Sequence, residues 1–433
     1  TGQAELRQDA VETIEAILET YPGAQWVQYD PVNRDNVAEG ARIAFRENIN
    51  TYYDFTKAAT IVTLDADFLT GMPGSLRYAR DFAAGRTVRE GTDTMNRLYA
   101  AYSTPSITST AADNSIALLP AQISDLALAL AAAVGVDGIE APEASWDTAW
   151  FDAMVADLNA SNGSSIVVAS DDQPAIIHAL VHAINEALGN IGETVLYTDP
   201  IVPNNGNSAT QLSNLVDDMV GGDVDLLVIL GGNPAYNAPA DVDFADALSR
   251  VRLSVHLSVY NNETSQLVNW HVPRATYFEA WGDALGHDGT ASLIQPPIGT
   301  LWDTELSDLD VVALLAGEER SSYQIMRAYW ENEYDGDNFE AFWRRALHDG
   351  VLPDTTPEPF TLSVSGTIAS EVDALLPDSS DGLVVLFRPD AAVYDGRYAN
   401  NSWLHEMPHP ITKIAWDNVG MLSAATAADL GVS

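Results

Sequence analysis

Asp225-Leu-Leu-Val-Ile-Leu-Gly-Gly-Asn-Pro-Ala-Tyr-Asn-Ala-Pro239 is the stretch on which the reading of this chain turns. Leu226–Leu230 is an unbroken apolar run, the pattern of a strand buried on both faces and central in a parallel sheet. Gly231, Gly232, Asn233 and Pro234 end it with residues that accept φ > 0, close an Asx-type turn and fix φ. Phe244, Ala247 and Leu248 follow at helical spacing. In an open α/β sheet, ligands bind at the carboxyl ends of such strands. Taken alone, the pattern favours a strand-to-loop turn that holds no ligand.

On both sides of this stretch strands and helices alternate. Ser165–Ala169, Val195–Tyr197 and Leu253–Val259 read as strands, and 174–188 and 209–220 as helices. That alternation predicts a parallel, doubly wound sheet. Upstream, 36–47 reads as a helix, Gln25–Tyr29 as a short strand and Thr60–Leu64 as a buried strand that ends in Asp65-Ala-Asp67. Pro120 to Gly135 is an Ala/Leu-rich helix, and 137–145 a linker. From Gly299 the pattern is helical, with Tyr323, Tyr329, Trp330, Phe339, Phe342 and Trp343 spaced as core aromatics. After Pro353–Pro359, Phe360–Ser365 and Leu383–Phe387 read as strands. The expected fold is therefore α/β, with Rossmann-like sheets in two domains, 1–136 and 146–298. A helical extension, 299–359, precedes the start of an incomplete β-rich, barrel-type domain over 360–433. The opening Thr1-Gly-Gln lacks Met and any leader pattern, so the chain is read as a piece of a longer precursor.

The composition narrows the function classes. The 433 residues are 46% hydrophobic, include no cysteine, and carry 62 acidic against 20 basic groups, for a net charge of −42. Thiolate metal sites and Cys-ligated iron–sulfur clusters are excluded within the chain. The charge disfavours nucleic acid and anionic lipid as partners and points to a high-salt environment, where self-repulsion is screened. Arg77, Arg80, Arg86, Arg89 and Arg97 concentrate the scarce cations, and pairing with the acidic surround is the expectation. His178 and His182 stand at i, i+4 on one helix but lack the Glu of a metalloprotease helix, which predicts a surface or packing role rather than metal. Asp171-Asp172 and Asp217-Asp218 read as solvated acids. No phosphate loop, nucleophile elbow or zinc helix occurs.

Several segments, taken together and in order, resemble the molybdopterin oxidoreductases. They are Leu188-Gly-Asn-Ile-Gly192, Leu230-Gly-Gly-Asn-Pro234, and Glu279-Ala-Trp-Gly-Asp-Ala-Leu-Gly-His-Asp-Gly-Thr290 with Gln295. Gly231–Asp241, Phe339–Gly350, Asp395–Leu404 and Trp416–Asn418 are similar to one branch, the molybdopterin-like and iron–sulfur subunit of bacterial alternative complex III. By resemblance, Gly231, Gly232, Asn233, Pro234, Glu279, Gly282, Asp283 and Gly289 are vestigial cofactor-binding positions. The departures are Asp65-Ala-Asp67 in place of the family's Gly-x-Asn turn, and Thr290 in place of an Arg. Asp65 and Asp67 are expected beside the Gly231–Pro234 crevice, where they would repel a pyrophosphate. The resemblance implies a subunit without cofactor, catalytic residue or metal in this segment. It would lie peripherally on the periplasmic face of the membrane. Its partners would be an iron–sulfur ferredoxin-like domain, polytopic quinol-binding subunits and haem c subunits of a quinol oxidoreductase. A catalytic molybdopterin subunit of a polysulfide-reductase-like complex and a soluble nucleotide-binding enzyme are the alternatives.

Overall fold

The strand Thr60–Leu64 is buried at every residue because a parallel neighbour flanks it on each side. In the computed structural model, which describes residues 8–88, 94–202, 206–376 and 382–432, the strands in chain order are β1 (Asn50–Tyr53), β2 (Thr60–Leu64), β3 (Arg97–Tyr102), β4 (Asn114–Ala117), β5 (Ser165–Ala169), β6 (Val195–Thr198), β7 (Leu226–Leu230), β8 (Leu253–Ser258), β9 (Trp270–Pro273), β10 (Gly282–Leu285) and β11 (Ala291–Ile294). A four-stranded parallel sheet has the order β4-β3-β2-β5, with Thr60 level with Arg97 and with Ser165. Successive side chains point to opposite faces. Val62, Leu64 and Val167 pack with Leu126, Leu130, Ile177 and Leu180 of the helices Pro120–Ala133 and Ala175–Ala187. Ile61, Ile166 and Val168 face Phe55, Phe68, Tyr78 and Phe82. Covering both faces is what lets a parallel strand be apolar throughout.

This sheet takes strands from both sides of the 137–145 segment, because β5 pairs with β2. The segment joins two helices over one core and does not separate two sheets. The chain divides elsewhere, into the compact units Thr1–Ser380 and Asp381–Ser433. A second parallel sheet, β7-β8-β9, packs Leu227 and Ile229 against Leu212, Met219, Phe244 and Leu248. Here the structure corrects the sequence reading: β7 is an edge strand, and Leu226 at its start is 47% exposed. The neighbour that alternation would supply, β6, pairs antiparallel with β1 instead. Gln25–Tyr29 forms no strand either. Its polar groups go to side chains and loops: Gln28 N–H donates to Gln211 Oε1 at 3.0 Å and Tyr29 Oη to the Asn237 carbonyl at 2.7 Å.

The aromatics after Gly299 form core as expected. Trp330 and Trp343 are buried, with Tyr323, Tyr329, Phe339 and Phe342 around them, over the antiparallel hairpin β10-β11. The β-rich C-terminal expectation does not hold among the described residues. Phe360 makes one bridge, to Tyr197, and Phe360, Leu362 and Val364 pack on the main core. Leu383–Phe387 is exposed and unpaired, and without a ladder partner an apolar run does not become a strand. The described part of that second unit holds the short helices Ser402–Glu406 and Ala424–Leu430, with no strand and no buried residue.

Candidate functional site

The order β4-β3-β2-β5 reverses direction between β2 and β5, and the carboxyl ends on either side of such a reversal form the crevice where α/β sheets bind ligands. The backbone leaving β2 turns at Asp65 with φ 61, the left-handed region that favours glycine. The Asp65 side chain folds onto the loop after β3. It accepts from Ser103 N–H at 2.9 Å and from Ser103 Oγ at 2.5 Å. Asp67 accepts from Thr108 N–H at 3.0 Å and Thr108 Oγ1 at 2.6 Å, and from Thr70 Oγ1. Both carboxylates are therefore tied into loops of the first sheet. They end β2, whereas Gly231–Pro234 ends β7 in the other sheet, so the two turns do not close neighbouring strands of one sheet, as the sequence reading expected.

Beyond β5, Asp171 is not a freely solvated acid. Its Oδ2 meets Arg34 Nε at 3.1 Å, both side chains mostly buried, while Oδ1 has no hydrogen-bond partner among the described residues. His178 and His287 lie in the same field of Arg34. Burial, then Arg34, lowers the pKa of His178 to about 3 and that of His287 to about 4, which keeps both neutral. His178 Nε2 and His287 Nδ1 also lack partners among the described residues. His182 bonds Tyr197 Oη at 3.0 Å, and burial lowers its pKa to about 3. Of the surface and packing roles the sequence left open, the histidine pair takes the second: a Cβ on Gly40 would lie 2.4 Å from His178 Cβ, so the helices Asp35–Phe45 and Ala175–Ala187 touch through it. A cavity of about 150 Å³ lies alongside, lined by Tyr52, Gly74, Arg77, Tyr78, His287 and Asp288. Arg34 and His287 carried no local sequence signal. The one available hint to Asp171 was that Ser170-Asp-Asp directly follows a buried strand.

The positions named by resemblance fall in two places. Gly231 and Gly232 both have positive φ, 69 and 70, and Pro234 opens the short helix Pro234–Asn237, beside a cleft of about 340 Å³. Asn233 spends its amide inside the protein: Oδ1 accepts from Thr264 Oγ1 at 2.8 Å and Nδ2 donates to Glu263 at 2.7 Å. His256, its pKa lowered by burial to about 4, reaches the Gly232 carbonyl from Nε2 at 3.2 Å. The remaining positions lie in the hairpin region, within a different packed cluster. Asp283 is buried and accepts from Trp330 Nε1 at 2.8 Å, Glu279 accepts from Thr276, and Gly282 is ladder backbone. Gly289 turns at φ 83 beneath Pro357, where a Cβ would come within 2.6 Å. Asn190 of the Leu188–Gly192 element stitches β5 to its helix, accepting from Ser165 Oγ at 3.0 Å and donating to Asn185 at 2.9 Å.

The cations are spoken for as the sequence suggested. Arg77 pairs with Asp288 at 2.8 Å, Arg80 with Asp81 at 2.9 Å, Arg86 with Asp113 at 2.5 Å and Arg97 with Asp157 at 2.6 Å; Arg89 lies outside the described residues. At the carboxyl end of the first sheet three carboxylates, Asp65, Asp67 and Asp171, thus stand with Arg34 and Arg77 already paired. Thr290 bonds Thr356 at 2.8 Å where the resemblance expects an Arg. Any anion placed at this end would meet those carboxylates, with Asp65 bonded to Ser103 and the Arg34 and Arg77 charges each already offset by an acid.

No protein-family model and no curated protein sequence matches the chain. Among solved structures it is similar to the formyltransferase/hydrolase complex from Methylorubrum extorquens with methylofuran, at 14% identity over 72% of this chain and 88% of that one, with a TM-score of 0.48. It is also similar to acetylene hydratase from Pelobacter acetylenicus, at 12% identity over 98% of this chain and 76% of that one, with a TM-score of 0.52. At 12% identity the second likeness is one of fold alone. It supports a molybdopterin oxidoreductase-like fold.

Proposed function

We propose that this chain is a structural subunit, built on a molybdopterin oxidoreductase-like fold without its cofactor, of a membrane-associated quinol oxidoreductase of the alternative complex III kind. The observation that carries the reading is Asp65: it keeps the left-handed turn of a glycine and fills it with a carboxylate bonded to Ser103. A like charge at about 4 Å costs roughly 4 kcal/mol at an effective dielectric of 20, about a thousandfold in affinity for an anionic cofactor. Iron–sulfur clusters, haem c and the quinol site belong, in this proposal, to neighbouring domains and subunits on the periplasmic side of the membrane. The net charge of −42 supports a high-salt setting, and the unfolding midpoint should rise steeply between low and molar NaCl.

The test is gentle detergent extraction from the source membranes, native sizing, and elemental analysis of the purified assembly. The expected result is a large complex with no molybdenum or tungsten assigned to this chain. Stoichiometric molybdenum or tungsten would make the chain a catalytic subunit, and recovery only as a free monomer with its own turnover would overturn the subunit reading.

A further inference from the structure

We propose that the segment 276–305 presents a docking face for a protein partner whose contact surface is an apolar groove rimmed by Lys and Arg. This rests on the subunit reading above and names one of its interfaces. Leu301 and Trp302 are 71% and 67% exposed, and Tyr277, Phe278 and Ile298 beside them are about half exposed. Scattered exposed apolar side chains need no explanation, but five in one connected loop system mark an interaction site.

The loops are held in place by their own acids. Glu279 accepts from Thr276 N–H and Oγ1 at 2.9 and 2.7 Å and, across the gap, from Leu301 N–H at 3.1 Å. Glu305 accepts from the N–H groups of Leu301 and Trp302 at 3.0 and 3.3 Å. Ile298 N–H donates to the Phe278 carbonyl at 3.3 Å, and the Tyr277 and Phe278 rings lie 4.4 Å apart. Polar atoms thus turn inward and rings outward, a preformed set of aromatic anchors of the type that dominates protein interfaces.

Charge decides what kind of partner fits. No Lys or Arg stands between Arg274 and Arg320, and Arg274 is paired with Asp308 at 2.5 Å. Asp303, Glu305 and Asp308 flank the rings. A second copy of the chain would bring the same acids to the same rim, and an anionic lipid surface would be repelled. A cationic rim complements the face.

The test uses the full chain in the source cells. Leu301→Asp with Trp302→Asp should cut the fraction recovered in the large complex at least tenfold while the melting curve stays that of wild type. Tyr21→Ala, at an exposed ring elsewhere, should leave recovery unchanged. Asp303→Lys should lower recovery several-fold. A photo-crosslinker at position 302 should form its adduct on a partner segment bearing Lys or Arg. Full retention of the double variant, or an adduct within an acidic segment, overturns the docking face and leaves the subunit reading standing. Wild type found only as a monomer overturns both. For purified protein, a concentration-dependent dimer abolished by Trp302→Ala would assign the face to a second copy, and flotation with phosphatidylcholine vesicles abolished by the same change would assign it to lipid; either overturns the proposal.

Discussion

β2 and β7 are five-residue strands rich in large aliphatic side chains, and each runs into a turn of positive φ: Asp65 at 61 after the first, Gly231 and Gly232 at 69 and 70 after the second. Their surroundings differ. β2 has a parallel partner on each side and is wholly buried, whereas β7 pairs with β8 alone and leaves Leu226 half in solvent. The turns differ in the same direction. At β2 the turn residue carries a carboxylate bonded to Ser103, while at β7 a Cβ on Gly232 would meet nothing nearer than Pro234 Cδ at 3.9 Å. Turn shape and turn residue are thus separable: the strand buried at every residue ends in a carboxylate bonded to a neighbouring loop, and the edge strand in two glycines.

The largest effect that separates the strands is a buried charge. Val62→Asp places a carboxylate between two layers of core, at a cost of several kcal/mol, comparable with a whole domain's stability. That variant should not fold. Ile229→Asp, on a half-buried edge strand, lets the carboxylate reach water and should fold with a loss of about 2 kcal/mol in urea unfolding. Equal failure of both would mean that the outer edge of β7 is as well covered as β2.

The next difference is in the turns. Asp65→Ala removes two inward hydrogen bonds while leaving the left-handed backbone strain, and should cost about 2 kcal/mol. Asp65→Gly loses the same bonds but relieves the strain by about 1 kcal/mol, so it should be the milder variant by melting temperature. An alanine variant as stable as wild type would show that the carboxylate does not hold the Ser103 loop.

That contrast also explains what could be read in the chain beforehand. Helices with clear periodicity, such as Ala175–Ala187 and Pro120–Ala133, and the runs that became β2, β5, β7 and β8 were legible because their patterns are local. Whether a strand is central depends on which strand lies beside it, and nothing in Leu226–Leu230 encodes that β6 turns away to pair with β1. Leu383–Phe387 fails for the same reason: an apolar run without a partner stays extended and exposed. Of the candidate site, the glycine turn was visible in residue type. The cluster of Arg34, Asp171, His178 and His287 was not, because its members come from three separate segments and meet only in the folded chain.

That cluster predicts a pH dependence with a definite sign. His178 has its pKa lowered from 6.5 to about 3, so the unfolded chain takes up a proton that the native state refuses. Its contribution to stability is full above about pH 6.5 and is lost as pH falls toward 3; at pH 5 the loss is about 2 kcal/mol. His178→Leu should remove that slope. Because the many carboxylates titrate in both proteins, the quantity to follow is the difference in unfolding free energy between variant and wild type. It should shift in favour of the variant by about 2 kcal/mol between pH 7 and pH 5. Parallel curves would show that His178 is protonated in the folded state.

The smallest effect bears most directly on whether the turn at β7 still has work to do. Gly232 has φ 70, and a Cβ there meets only Pro234 Cδ at 3.9 Å, so the position is sterically open and Gly232→Ala bears the backbone cost alone, about 1 kcal/mol. His256 holds the Gly232 carbonyl at 3.2 Å, and Asn233 is fixed by Glu263 and Thr264, so the turn has its own supports and should keep its shape. If the turn is vestigial, the variant should melt a few degrees lower and assemble like wild type. If a ligand still approaches this backbone, the added methyl group would stand in its path, and assembly or metal content would fall at a melting temperature explained by the backbone cost. Measuring both on one preparation separates a retained shape from a retained site.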